Sequence, residues 1–301
     1  MDVIGWLCDG DPAIRWQTLR DLTDAAPAEV TAERARVARE GLGAQLLALQ
    51  GDDGGWHLAG EPDWIPTLYA PLVLRAAGAD PADPAVDAAM TRLGTGFHWH
   101  ASLGGKSFFG GETEPCINGG TLAIGGYFGR PDEALARRLL GEQLADGGWN
   151  CDAPPSTRGS FHSTICVLEG LREFERAAGT RPELTQAIGR GEAYLLERGL
   201  FRRRSTGDVA LPAFLRFSFP PRYHYDVLRG LDYLRSTGFV PDERIADAVA
   251  HVEQKRQPSG TWLLDAAHAE TFAFAWGETV GAPSRWNTLR ALRVLRWYGE
   301  R

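Results

Sequence analysis

One short phrase returns six times along the chain, and recurrence at this spacing restricts the fold to stacked copies of a single supersecondary unit. The stretches W-Q-T-L-R-D-L (Trp16 to Leu22) and W-N-T-L-R-A-L (Trp286 to Leu292) are nearly the same, and related phrases begin at Ile65, Gly119, His162 and His224. The aligned position is Thr18, Thr67, Thr121, Thr164, Asp226 and Thr288, with neighbouring copies 43 to 62 residues apart. Each copy opens an apolar stretch dense enough to be buried on most sides, such as 67–77 or 164–171. Amphipathic stretches lie between them at 28–49, 84–93, 131–144, 182–196 and 241–254. Several of these open with Pro and acidic residues, as helix N-termini do. Alternating strand-like runs are scarce. Buried helices alternating with amphipathic ones predict an all-α fold, an (α/α)6 toroid of inner and outer helices, with residues 1–301 forming a single domain. The N-terminal pieces and the C-terminal helix would meet to close it. The alternative is an open superhelix of helix pairs.

A second phrase has a more specific signature. Gln50 to Trp56 reads Q-G-D-D-G-G-W, Gln143 to Trp149 reads Q-L-A-D-G-G-W, and Arg256 to Trp262 reads R-Q-P-S-G-T-W as a degenerate copy. Each follows a helical stretch. The glycines suit a helix C-terminus, where positive φ is needed, and the Trp is expected to fold back onto the helix just ended. Q-x-x-D-G-x-W resembles the QW repeat of squalene and oxidosqualene cyclases, and the related repeat of protein prenyltransferase β-subunits. The chain looks like the short, stand-alone squalene cyclase-like bacterial proteins, and the resemblance runs over essentially its whole length. It implies the terpenoid cyclase and prenyltransferase superfamily and its toroid. Two departures bear on function: the D-x-D-D acid motif of class II cyclases is absent, and so is the D-x-C pair that holds zinc in the prenyltransferases.

Composition narrows the partners. A formal net charge of −7 disfavours nucleic acid and anionic membrane. No run of 18 or more apolar residues and no leader-like N-terminus is present, which predicts a cytoplasmic protein without a transmembrane segment. Peripheral membrane contact and oligomeric state stay open. Cys8, Cys116, Cys151 and Cys166 are irregularly spaced, which argues against a disulfide framework.

In a toroid of this type the inner-helix N-termini converge on one end of the cavity and favour anions there. Asp226 stands where five repeats carry Thr. It either caps its helix or serves as an acid or base, with His224 two residues earlier and His162 in the same slot of the preceding copy. Cys116, in the segment Glu114-Pro115-Cys116, and Cys151, directly after Trp149-Asn150, lie near the same rim. Cys116, Cys151, His162, His224 and Asp226 form a candidate zinc set, since thiolate, imidazole and carboxylate all suit tetrahedral zinc. The alternative is buried free cysteine with hydrogen-bonded histidines. Trp64, Tyr69, Phe161, Tyr223, Tyr225 and Trp286 would line a hydrophobic site, or simply pack a core. Arg229 would grip a diphosphate or carboxylate, whereas Arg15 and Arg285 read as structural. The Phe- and Pro-rich stretch 209–221 reads as a loop that lids the cavity or covers a helix end. His57, His251 and His268 read as surface histidines.

Together these features predict a squalene cyclase-like enzyme. It would hold an isoprenoid or polyene-like molecule in its cavity and cyclise or isomerise it by acid/base chemistry at Asp226, His224 and His162. A zinc-dependent prenyl- or alkyl-transferase and a non-catalytic lipid- or peptide-binding toroid are the alternatives.

Overall fold

The computed structural model describes residues 2–268 and 277–299. Its helices follow the apolar spacing of the sequence. In chain order they are α1 (Val3–Cys8), α2 (Pro12–Leu22), α3 (Pro27–Arg34), α4 (Gly41–Ala48), α5 (Trp64–Ala77), α6 (Pro84–Gly96), α7 (Pro115–Tyr127), α8 (Glu133–Gly141), α9 (Phe161–Ala178), α10 (Pro182–Leu196), α11 (Val227–Ser236), α12 (Ala246–Gln254) and α13 (Arg285–Gly299). Among the described residues the only strands are β1 (Trp262–Leu263) and β2 (Pro283–Ser284), paired antiparallel with Trp262 opposite Ser284. The fold class is all-α, as the sequence predicts. No described helix is long and apolar enough to cross a membrane.

By internal contacts the chain divides into two compact units, one of residues 2–44, 195–268 and 277–299, the other of residues 45–194. In the first, α13 packs on α2 and α11, so N- and C-terminal helices meet as expected. Arg293 crosses from α13, donating to Gln17 Oε1 at 3.0 Å and pairing with Asp232. In the second, α7 packs on α5, α8 and, along its length, α9. Every residue from Pro115 to Gly126 in α7 is buried, whereas α8 buries only Leu135, Ala136 and Leu139. The alternation of buried and half-exposed helices read from the sequence is present here element by element.

Local signals set the ends. Asp11 and Asp83 precede Pro12 and Pro84 and accept the N–H two residues on, at 2.8 and 2.9 Å. The stretch 28–49, expected as one helix, breaks into α3 and α4. Gly41 sits at φ +61°, and a Cβ there would fall 2.0 Å from Asp11 Oδ2, which instead accepts the N–H of Leu42.

The Q…W phrases lock helix to helix. Trp56, Trp149 and Trp262 each donate their indole N–H to the carbonyl ten residues back, on Leu46, Leu139 and Val252, at 2.7 Å. Each thus folds onto the helix just ended. Their backbone N–H groups donate to Thr67, Thr164 and Thr288, at 2.9, 3.0 and 3.0 Å. Gln50 and Gln143 span the turn in the same manner, each donating to a glycine carbonyl four residues on and to Ala89 in α6 or Ala187 in α10, the next helix but one. The six aligned positions are therefore not equivalent. Thr67, Thr164 and Thr288 are each the fourth residue of their helix and receive a Trp N–H. Thr18 lies one turn deeper and donates to Ile14 O within its own helix. Thr121 is buried with no hydrogen-bond partner for its hydroxyl, and Asp226 precedes its helix.

Candidate functional site

The start of α7 brings two thiols and a carboxylate together. Pro115 opens the helix, so Glu114 is extended at the cap position, with φ −96° and ψ 132°, and its side chain makes no capping bond. The N–H of Glu114 donates instead to Glu112 Oε1 at 2.6 Å, and Asn118 clamps the backbone of Glu112 from both sides. The Glu114 carboxylate is thereby left beside Cys116, whose Sγ lies 3.6 Å from Oε2. Cys151 arrives from the turn after the second Q…W phrase. Trp149 O accepts from Ser160 N at 2.7 Å, and Asn150 donates to Ser156 Oγ and Arg158 O, which closes that turn. Ser163, in the first turn of α9, then holds Cys151 by its N–H at 3.2 Å and its sulfur at 3.3 Å. The two sulfurs stand 2.9 Å apart. Among the described residues, Glu114, Cys116 and Cys151 are the group whose ligand atoms all lie within 4.8 Å of one another.

One shared hydrogen bond makes the first thiol of such a pair easy to ionise and the second hard. The contact between the sulfurs and then burial, with Glu114 nearby, hold Cys116 far above the ordinary thiol range. The same contact pushes Cys151 down, burial opposing and the Ser163 hydroxyl assisting. Cys151 is half-buried and Cys116 buried, so the Cys151 sulfur is the more accessible of the two.

The donor set suits zinc. Two thiolates and a carboxylate supply three protein ligands and leave a fourth position open, the pattern of catalytic zinc sites. With Zn–S near 2.3 Å, a tetrahedral dithiolate places its sulfurs about 3.8 Å apart, so this pair would part by roughly 0.9 Å. A disulfide bond is about 2.05 Å long, so the observed separation lies about midway between the two states.

The other predicted residues fall as follows. His162 directly precedes Ser163 but is outside the ligand group. His224 and Asp226 belong to the other compact unit. Asp226 is 1% exposed, caps α11 through Arg229 N at 2.8 Å, and accepts from Ser218 N and Oγ at 3.3 and 3.2 Å, with Arg290 at 4.0 Å. The cap is formed. Arg229 is buried and donates to the carbonyls of Arg222 and His224, which orients it toward backbone. Tyr225 donates to Leu200 O at 2.6 Å, and Tyr69 and Phe161 are buried, while Trp64 is half-exposed. Arg15 pairs with Glu33, and Arg285 lies over the Trp6 ring, both structural as read. In 209–221, Phe214, Phe217 and Phe219 are buried and Phe219 stacks on Trp286 at 4.1 Å.

The reading of His251 and His268 as surface residues does not hold. His251 is half-buried and bonds Leu215 O at 3.0 Å. His268 stacks on His224 with ring centroids 3.7 Å apart, and Tyr223 covers the other face of His224 at 4.0 Å. Burial, then Arg222, push His268 below the usual histidine range, with Asp226 opposing. Of the three, only His57 is exposed, held between Asp53 and Asp63. The sequence reading also missed Glu114. The available signal was an acid two residues ahead of a thiol across a helix-opening proline.

No family model matches the chain. No curated protein matches it either. Among solved structures, a protein from Actinoplanes is similar at 15% identity over 96% of this chain and 89% of its own, with a TM-score of 0.48. The type II terpene cyclase MstE from Scytonema is similar at 17% identity over 94% of this chain and 85% of its own, with a TM-score of 0.47.

Proposed function

We propose that this protein is an enzyme that acts on a hydrophobic, isoprenoid or polyene-like small molecule and transfers a prenyl or alkyl group at a zinc–thiolate centre formed by Glu114, Cys116 and Cys151. The observation that carries the reading is the approach of these three ligand atoms to within 4.8 Å. Zinc, when bound, would hold the sulfurs as thiolates and offer an open position to an incoming thiol or to a leaving oxygen. Cys151 and Cys116 would bind through sulfur and Glu114 through oxygen. Ser163 would orient Cys151, and His162, next to it in α9, would carry protons at the edge of the centre. Untagged protein purified without chelators is expected to hold one zinc per chain by mass spectrometry. Cys151→Ser and Glu114→Gln should lower that occupancy at least tenfold while circular dichroism stays native. Folded wild-type protein that fails to take up added zinc would refute the reading.

One observation favours a second reading, acid/base cyclisation or isomerisation. Asp226 lies near the stacked His224–His268 pair, and His268 is held neutral there, suited to accept a proton. Under it, Asp226→Asn and His224→Ala abolish turnover while zinc content is unchanged. Intact turnover in both variants excludes it.

A further inference from the structure

The sulfurs of Cys116 and Cys151 are closer than a metal-bound pair and further apart than a bonded one. Cys151 is half-buried in a turn, where a small oxidant reaches it. Cys116 is buried against it on the rigid first turn of α7 and meets a modified Cys151 sulfur before any external thiol does. Cys166 is buried within α9, and Cys8 belongs to the other compact unit. We propose that Cys151 is a site of oxidation by hydroperoxides and that Cys116 resolves it, so that the pair closes into a reversible intramolecular disulfide.

The chemistry balances in two steps. The Cys151 thiolate attacks the hydroperoxide, an S–O bond forms, the O–O bond breaks, and an alcohol or water leaves, giving a sulfenic acid. The Cys116 thiol then attacks that sulfur and passes its proton to the leaving hydroxyl oxygen, an S–S bond forms, the S–O bond breaks, and water leaves. Two thiols lose two electrons and two protons, and one peroxide is reduced. A dithiol reductant reverses the sequence by exchange through a mixed disulfide. The disulfide itself depends only on the thiol geometry. Its consequence rests on the proposed zinc–thiolate centre: oxidation removes two of three donors, so zinc and disulfide exclude one another.

The test treats the full chain with one equivalent of hydrogen peroxide, alkylates the remaining thiols, and maps peptides by mass spectrometry. Expected are a Cys116–Cys151 crosslink with loss of two hydrogens, unmodified Cys8 and Cys166, and recovery of both thiols with dithiothreitol. Cys151→Ser should leave Cys116 reduced, and Cys116→Ser should leave a Cys151 sulfenic acid that dimedone traps. Preferential oxidation of Cys8, an intermolecular dimer on a non-reducing gel, or over-oxidation of Cys151 without the crosslink would each overturn the proposal. A parallel arm loads zinc first and follows its release with a chromophoric chelator, expected one-to-one with the crosslink. A crosslink in protein that never binds zinc leaves this inference standing and defeats the metal reading. Zinc binding without a crosslink does the reverse.

Discussion

A threonine hydroxyl earns its place in a core only by what it bonds. Thr67, Thr164 and Thr288 each accept the backbone N–H of a buried tryptophan. Valine has the same shape without the hydroxyl, so Thr67→Val, Thr164→Val and Thr288→Val each take a buried hydrogen-bond partner from a tryptophan backbone and should cost about 1–3 kcal/mol. Thr18 only bonds back within its own helix, and the Thr121 hydroxyl bonds nothing. Thr18→Val and Thr121→Val should therefore stay within about 0.5 kcal/mol, with Thr121→Val free to gain. Urea midpoints for the five variants measure this, and a uniform cost across them contradicts the assignment. The distinction was partly written in the sequence. The three that bond are the three that follow a phrase ending in Trp, at Trp56, Trp149 and Trp262. Aligning the six phrases on their own concealed that pairing, because it joins two different repeats.

At the scale of elements, the close crossing of α7 and α9 decides where the thiols go. A Cβ on Gly119 would sit 2.4 Å from the carbonyl oxygen of Cys166, and one on Gly170 would sit 2.4 Å from the carbonyl of Gly119. Backbone meets backbone, so neither helix can yield by turning a side chain. In an exposed helix Gly→Ala gains up to about 1 kcal/mol from propensity. Gly119→Ala should instead lose about 1–3 kcal/mol from overpacking. Gly189, in α10, is exposed, and a Cβ added there would meet nothing within 4 Å. Gly189→Ala should therefore gain up to about 1 kcal/mol. Thermal midpoints of the two variants should move in opposite directions, and a stabilised Gly119→Ala would mean that the crossing is looser than these distances require. Helix existence was legible from apolar spacing, and α10 matches its expected span residue for residue. The approach of Cys116 to Cys151 was not. They are 35 residues apart, and only the glycine-mediated crossing carries one to the other. Of the five candidate metal ligands, these two meet, and Glu114 joins them through a proline-fixed backbone that composition does not reveal.

Across the whole molecule, acid stability follows from groups held away from their ordinary pKa. Burial pushes His268 down with Arg222 beside it, so the fold keeps it neutral while the unfolded chain takes up a proton near pH 6.5. Its contribution is present above that value and is lost as pH falls below it. Burial pushes Asp232 up, but Arg293, Arg235 and Arg290 more than reverse this and hold its carboxyl well below the carboxylate range. Asp21 is likewise lowered, burial being outweighed by Arg20 and Arg293. A carboxylate with a depressed folded pKa stabilises above its unfolded value, near 3.9, and that contribution disappears as pH falls further. Glu278 has the opposite sign: burial raises it, so it costs stability as pH rises through about 4.3 and gives some back on acidification. The expected profile is a shallow loss of stability due to His268 from about pH 6.5 downward, partly offset by exposed, solvent-screened His57, which Asp63 and Asp53 hold up, and a steeper loss below about pH 4, softened between them by Glu278. Urea midpoints from pH 8 to pH 3 test it. His268→Gln should flatten the upper segment alone. Asp232→Asn should flatten part of the lower one and lower stability at pH 7 by about 1.5–3 kcal/mol, since it takes one charged acceptor from Arg293, which keeps Asp21 and Gln17, and from Arg290, which keeps Asp226. An unchanged upper segment in His268→Gln would show that the stacked imidazole titrates as it does in the unfolded chain, and would remove the support that its neutrality lends to acid/base chemistry beside Asp226.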